Sequence, residues 1–333
     1  MEPIIDALAA LNGYAGLLAW AVLAVFLAGA IVERYDETSG ARVYAVGWAV
    51  LAAYWLSYVH YFVFAQKSIT ESVGVVAGIP LSLLVGWMLW QGRHRLLVIS
   101  RAVTFAWLFF LPLSALAFVR RPLIEITTAH TDAILSLLGD NYRLGDWYPV
   151  LPAGLELPGG GTLSADQPLT EKHYPYRNTF LYAPDGHPVT YTIRLACTGI
   201  GSMSIFVGLI GAVQGSLRNK AKAIGAAIGI IYVLNIGRNV FIAHTVGNQR
   251  LHVFPETILS LFSANDPYLV SYFVGDRILA QFGAVIALVA ITWLVIRWVP
   301  DVLRVVDEGL YILTGNEYDL RGSLAAASES ESS

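Results

Sequence analysis

A chain of 333 residues with 56% hydrophobic and only 14% charged residues departs from soluble globular composition, in which roughly a quarter of residues are charged, and falls in the membrane class. Its formal net charge of -3, evenly spread, argues against nucleic acid as a partner. The single cysteine excludes an internal disulfide, so cysteine usage does not report a redox compartment.

The chain opens on Glu2 and Asp6, with no basic leader, and the apolar run that follows is too long for a cleavable signal core. It reads as a true span. A span needs about 20 mostly apolar residues at about 1.5 Å each. Seven runs qualify: 14–32, 43–65, 72–91, 102–119, 195–217, 223 to about 242, and 278–296. The sixth is the weakest, because Arg238 follows Gly237 within one helical pattern.

Short loops set the orientation through their Lys and Arg content. Arg34 and Arg42, then Arg93, Arg95 and Arg101, then Arg218, Lys220 and Lys222 fall on one side, against Lys67 in the short loop of the other. The N-terminus is therefore expected outside and the C-terminal tail inside, with Arg297 and Arg304 in agreement. The expected organisation is a four-helix membrane region over 1–119, an extracytoplasmic segment over 120–194, a membrane region carrying the chemistry over 195–299, and a cytoplasmic tail over 300–333. The fold class is an all-α polytopic membrane protein of about seven spans, with a small α/β segment between spans four and five.

Within the outer segment, 123–138 suits a helix lying along the interface, 157–161 is a Pro and Gly loop, and 179–182 with 189–194 form a small hairpin leading into span five. A solvated lid without chemistry is the plainer account of this segment. The second outer segment, 243–276, is apolar over 251–262 and is expected to carry a short interfacial helix begun near Pro255 and Glu256. The tail after Arg321 has the composition of disorder. The sequence holds no repeat and no nucleotide-binding motif.

Depth then brings three distant residues together. Cys197 lies just inside span five and Arg277 just before span seven, both at the outer interface. Span six rises from inside, so Arg238 sits roughly 22 Å above Ala223 at the helical rise, in the outer part of a core about 30 Å thick. An arginine in the apolar layer usually faces a cavity, a partner or a pathway. Two guanidinium groups beside a thiol favour the thiolate, which is the nucleophile, and the first turn of span five adds the positive end of a helix dipole. Gly199 and Gly201 allow close approach of a substrate backbone, Asn235 and Asn239 are placed to hold Arg238, and His244 is the histidine to watch as a base. His130, His173, His187 and His252 also fall outside, and no histidine pair has metal-ligand spacing. No cofactor or metal is expected. Each residue also has an ordinary reading: a lone Cys packs in an apolar helix, and arginines near span ends anchor at the interface.

At these positions the chain resembles the exosortase and archaeosortase family. The likeness rests on Ala196-Cys197-Thr198-Gly199-Ile200-Gly201-Ser202-Met203, on Asn235-Ile236-Gly237-Arg238-Asn239, and on Gly275-Asp276-Arg277, and it covers residues 195–298 well. It implies a catalytic Cys197 and Arg238, with Arg277 at a third position that is His in bacterial members and Arg in archaeal ones. The family's activity would be that of a membrane cysteine transpeptidase. Its partners would be secreted surface proteins of S-layer glycoprotein type, ending in a Pro-Gly-Phe-type motif, a transmembrane segment and a basic cluster, and a lipid headgroup amine as acceptor. The active site would face the extracytoplasmic side of an archaeal cell membrane. The rival reading from the residues is a transporter or assembly scaffold whose arginines line an anion pathway.

Overall fold

The computed structural model describes residues 2–65, 69–146, 150–168 and 176–323. The expected disordered tail beyond Arg321 falls largely on residues 324–333, and His173 on 169–175, both outside the described residues. The chain forms two compact units, one from Met1–Ala115, Ser204–Gly225 and Val295–Ser333, the other from Leu116–Met203 and Ala226–Leu294.

Among the described residues, six helices are long and apolar enough to cross a membrane: Ala15–Glu33, Glu37–Phe64, Ser72–Trp90, His94–Ala115, Leu217–Gly247 and Pro267–Trp298. A shorter apolar helix, Ile200–Ala212, spans 13 residues, or about 20 Å of rise. It accounts for the fifth run, and its late start has a local cause. Leu195–Thr198 is a 3₁₀ turn closed by Gly199 at φ 79°, a left-handed conformation that no helix continues through. Cys197 therefore stands on a turn three residues before this helix, and not in the helix's first turn.

The first unit opens with α1 (Glu2–Asn12), α2 (Ala15–Glu33) and α3 (Glu37–Val59). Asp36 caps α3, its carboxylate accepting from the backbone N–H groups of Thr38 and Ser39 at 3.3 and 2.9 Å. A π-helical stretch (His60–Ala65), α4 (Ile69–Trp90) and α5 (Leu97–Ala115) follow. The core gathers Val22, Phe26, Tyr44, Trp48, Leu89 and Leu97, with Phe26 edge-on to Tyr44 and Trp48 at 5.7 and 5.5 Å between centroids. The indole of Trp48 donates to Ser100 Oγ at 2.9 Å, so this buried N–H is satisfied.

The second unit carries α6 (Ala117–Leu137), whose later part corresponds to the expected interfacial helix, and the strands β1 (Arg143–Asp146), β2 (Val150–Leu151), β3 (Gln167–Pro168), β4 (Arg177–Tyr182) and β5 (Val189–Thr192). The expected hairpin is β4 with β5, antiparallel, pairing Phe180 with Tyr191 and Tyr182 with Val189. Pro184–Gly186 makes the turn. Strand β1 adds to the far edge of β4, giving the order β1-β4-β5. After the sheet come α7 (Ile200–Ala212), α8 (Leu217–Gly247), α9 (Pro255–Leu261), α10 (Val270–Tyr272), a π-helical turn (Phe273–Leu279) and α11 (Ala280–Trp298), then α12 (Leu303–Thr314) of the first unit. Helix α9 begins at Pro255, where the sequence places it; α7, α8 and α11 each have residues in both units. One face of the sheet packs on the C-terminal part of α8 through Phe180, Tyr182, Tyr191, Val240, Ala243 and Val246. Burial alternates along β5, whereas β4, the central strand, is buried on both faces from Asn178 to Tyr182.

Candidate functional site

Three local structures of the second unit converge. The first is the end of β5. Its pairing with β4 extends to Ile193, whose N–H donates to Asn178 O at 2.9 Å while Asn178 Nδ2 donates back to Ile193 O at 2.8 Å. The chain then turns at once: Cys197 N donates to Arg194 O at 2.9 Å and Thr198 Oγ1 to Leu195 O at 2.7 Å. Gly199 closes the turn, and a Cβ there would meet Ile231 Cγ2 at 3.1 Å and Asn235 Cβ at 3.4 Å. Its role is to let the cysteine turn lie against α8. Gly201 has open space where a Cβ would stand.

The second is α8, where Asn235, Arg238 and Asn239 share one face at helical spacing. Both asparagine side chains donate through Nδ2 to the carbonyl oxygen of Cys197, Asn239 at 2.8 Å and Asn235 more closely still. They hold the cysteine, where the sequence reading had them holding Arg238. Arg238 Nη2 instead donates to Asp276 Oδ1 at 2.5 Å, and its guanidinium lies in hydrogen-bonding reach of the Cys197 side chain.

The third is the π-helical turn, a distortion often found at functional sites. It presents Asp276 and Arg277 in succession. Asp276 Oδ2 lies 3.9 Å from Arg277 Nε, so one carboxylate stands between two guanidinium groups. The guanidinium of Arg277 also lies 5.7 Å from the centroid of the Tyr272 ring.

Tyr191 completes the cluster. It is buried on β5, donates to Asn239 Oδ1 at 3.0 Å, and reaches the Cys197 side chain. Burial pushes its phenol well above the ordinary range, and the neighbouring Cys197 adds to this while Arg238 opposes it. His244 belongs to a different network: its Nδ1 pairs with Asp140 Oδ1 at 2.8 Å, and Asp140 Oδ2 accepts from the Tyr182 hydroxyl. A cavity of about 400 Å³ adjoins the cluster, lined by Gly199, Ser202, Asn235, Arg238, Phe241 and Leu279 among others. No group of three or more His, Cys, Asp or Glu side chains converges among the described residues.

Cys197, Arg238 and Arg277, with Asn235 and Asn239, are thus neighbours or neighbours through Asp276. The sequence reading passed over Tyr191, and it quoted Asp276 only as part of a motif. Cys197 is half-buried, and the Arg238 guanidinium and the Tyr191 hydroxyl lie at its side chain. Chemically the arrangement suits a thiolate and, after attack on a carbonyl, an oxyanion.

The chain also matches known proteins along most of its length. Residues 12–265 match the family described as Transmembrane exosortase (Exosortase_EpsH). Archaeosortase A of Haloferax volcanii is 38% identical over 92% of this chain and 97% of its own length. Archaeosortase A of Natronomonas pharaonis is 37% identical, over 93% of each. No solved structure matches the chain. A family match over most of the length, and two relatives aligned almost end to end, establish that the chain belongs to the transmembrane exosortase family of membrane processing enzymes.

Proposed function

We propose that this protein is a membrane cysteine transpeptidase that removes the C-terminal sorting signal of secreted surface proteins and passes them to a lipid amine. The observation that carries the reading is the meeting of the Cys197 side chain with the Arg238 guanidinium, with the cysteine's carbonyl clamped from the same helix by Asn235 and Asn239. In this reading the Cys197 thiolate attacks the carbonyl carbon of a peptide bond near the extracytoplasmic interface. Arg238 balances first the thiolate and then the oxyanion. Loss of the C–N bond releases the C-terminal span as an amine and leaves a thioester on Cys197. A headgroup amine then attacks the thioester, the C–S bond breaks, and the surface protein leaves joined to lipid. Arg277 shares the charge through Asp276 or binds the substrate. Archaeosortase A as the name of both relatives supports a sorting role; in this reading the substrates are of S-layer glycoprotein type with a Pro-Gly-Phe-type motif, as the motif resemblance implies.

The test is made in a host strain lacking the protein. Cys197→Ala should leave surface-protein precursors uncleaved, whereas normal processing by that variant would end the proposal. Arg238→Lys should also fail, since lysine keeps the charge but not the planar fork that reaches Asp276 and Cys197 together.

A further inference from the structure

The reaction just described needs a proton for the departing amine. Arginine is a poor source of one, because it stays protonated, and His244 lies in the separate network of Asp140 and Tyr182. We infer that the hydroxyl of Tyr191 is the general acid of the site, giving its proton to the leaving amine during acylation and recovering one from the incoming amine afterwards. The inference rests on Cys197 being the nucleophile.

Two features of the geometry point this way. The hydrogen-bond direction is fixed by the residues around it. Asn239 Nδ2 must face the Cys197 carbonyl, which can only accept, so Asn239 presents its oxygen to Tyr191 and the phenol must donate. Tyr191 therefore carries its proton, and the hydroxyl lies beside the Cys197 side chain. The hydroxyl is also out of water on a paired strand, with Phe180 opposite, so it cannot swing away.

The surrounding charges would tune the transfer. The titratable and charged groups facing Tyr191 are Cys197, Arg238 and Asp276. While Cys197 is a thiolate, its charge holds the proton on the phenol, as does that of Asp276, and Arg238 opposes them. When the sulfur bonds to the substrate carbon its charge moves away to the oxyanion, which Arg238 balances, so the hold of the thiolate on the phenol proton weakens at the moment the amine must leave. In the balanced sequence the S–C bond forms as thiolate charge passes to the oxyanion. The C–N bond then breaks as the Tyr191 O–H proton passes to nitrogen. The phenolate, beside Arg238, takes a proton from the amine that attacks the thioester, and the site returns to its starting state.

The experiment compares two acyl donors on the full-length protein in lipid nanodiscs. One is a precursor protein bearing the sorting signal, whose leaving group is an amine that needs a proton. The other is p-nitrophenyl acetate, whose nitrophenolate leaves without one. Tyr191→Phe should slow precursor cleavage by about 10²-fold or more while Cys197 acylation by the ester stays within about threefold of the unaltered protein. Equal loss on both donors, or no loss on the precursor, would overturn the inference. Cys197→Ala separates the underlying reading: if it still cleaves the precursor, the nucleophile assignment has failed independently of Tyr191. If Tyr191→Phe does not fold, 3,5-difluorotyrosine at position 191 decides the matter. The alkaline limb of precursor cleavage should move to lower pH with the ester reaction unmoved, and an unmoved limb would refute the assignment.

Discussion

The two glycines of the Cys-Thr-Gly-Ile-Gly stretch should answer to alanine in opposite ways. Gly199 holds φ 79°, a conformation that costs an L-residue roughly 1–2 kcal/mol. Its new Cβ would also meet Ile231 Cγ2 at 3.1 Å and Asn235 Cβ at 3.4 Å, so α8 or the turn must yield by a few tenths of an ångström. Together these place the cost of Gly199→Ala at about 1–3 kcal/mol. Gly201 lies in α7 with nothing near its missing Cβ, so Gly201→Ala should be neutral or gain about 0.5–1 kcal/mol from helix propensity. Unfolding in mixed micelles measures both. The second readout is alkylation of Cys197 by iodoacetamide, because moving the turn pulls the cysteine from its asparagine clamp. Gly199→Ala should slow or scatter that reaction and Gly201→Ala should leave it alone. If the two variants lie within about 0.5 kcal/mol of each other, a spread below the left-handed penalty itself, the account of Gly199 is wrong.

The asparagines should differ in the same assay. Asn235→Ala removes one of two donors to the Cys197 carbonyl, a loss of about 1 kcal/mol. Asn239→Ala also strips the buried Tyr191 hydroxyl of its amide acceptor, and losing that second hydrogen bond adds about 1 kcal/mol. Equal effects would contradict the double role of Asn239. Asp276→Asn should speed alkylation of Cys197 at neutral pH by removing the one negative charge beside the two guanidiniums, yet slow precursor processing because Arg238 loses its charged anchor at 2.5 Å; parallel changes in both rates would argue against that role. In the sheet unit, burial and the nearby Asp132 carboxylate push the phenol of Tyr142 up to about 12. The folded state keeps this proton where the unfolded chain loses it near 10. Its contribution is therefore whole below about pH 10 and fades as pH rises toward 12. Tyr142→Phe should flatten the loss of stability in that alkaline window, followed by thermal unfolding across pH.

How much of this was legible in the sequence depends on how local each signal is. The spans were, because a run such as 15–33 declares itself by its own residues. So was the β4–β5 hairpin, whose turn is written in Pro184, Asp185 and Gly186. The cysteine turn was half legible: apolar residues run unbroken from Leu195, which hides the turn, while Gly199 is the mark of a left-handed stop. Strand β1 escaped because its partner lies more than thirty residues away, across the 157–161 loop. Tyr191 escaped for a related reason. In Val-Thr-Tyr-Thr it alternates as any half-buried strand residue does, and only the fold puts its hydroxyl on Asn239. Asp276 sits beside Arg277 in sequence, but its pairing with Arg238 depends on the π-helical turn, which no local residue announces.

The distribution of work over these elements follows from what each can hold still. A thiol on a helix inside lipid would be fixed in position but far from water-borne partners, and one on a mobile loop would be reachable but poorly aimed. Here the cysteine stands on a short turn between a paired strand and a helix, and its carbonyl is tied by two side chains one helical turn apart on α8. The charge that serves it comes from the same face of α8, so Arg238 and the clamp share one rigid body. Arg238 and Arg277, gathered at one carboxylate, would otherwise repel each other. Asp276 relieves that by standing between them, and because one carboxylate offsets only one of two guanidiniums, the cluster keeps the positive charge that the proposed reaction would draw on.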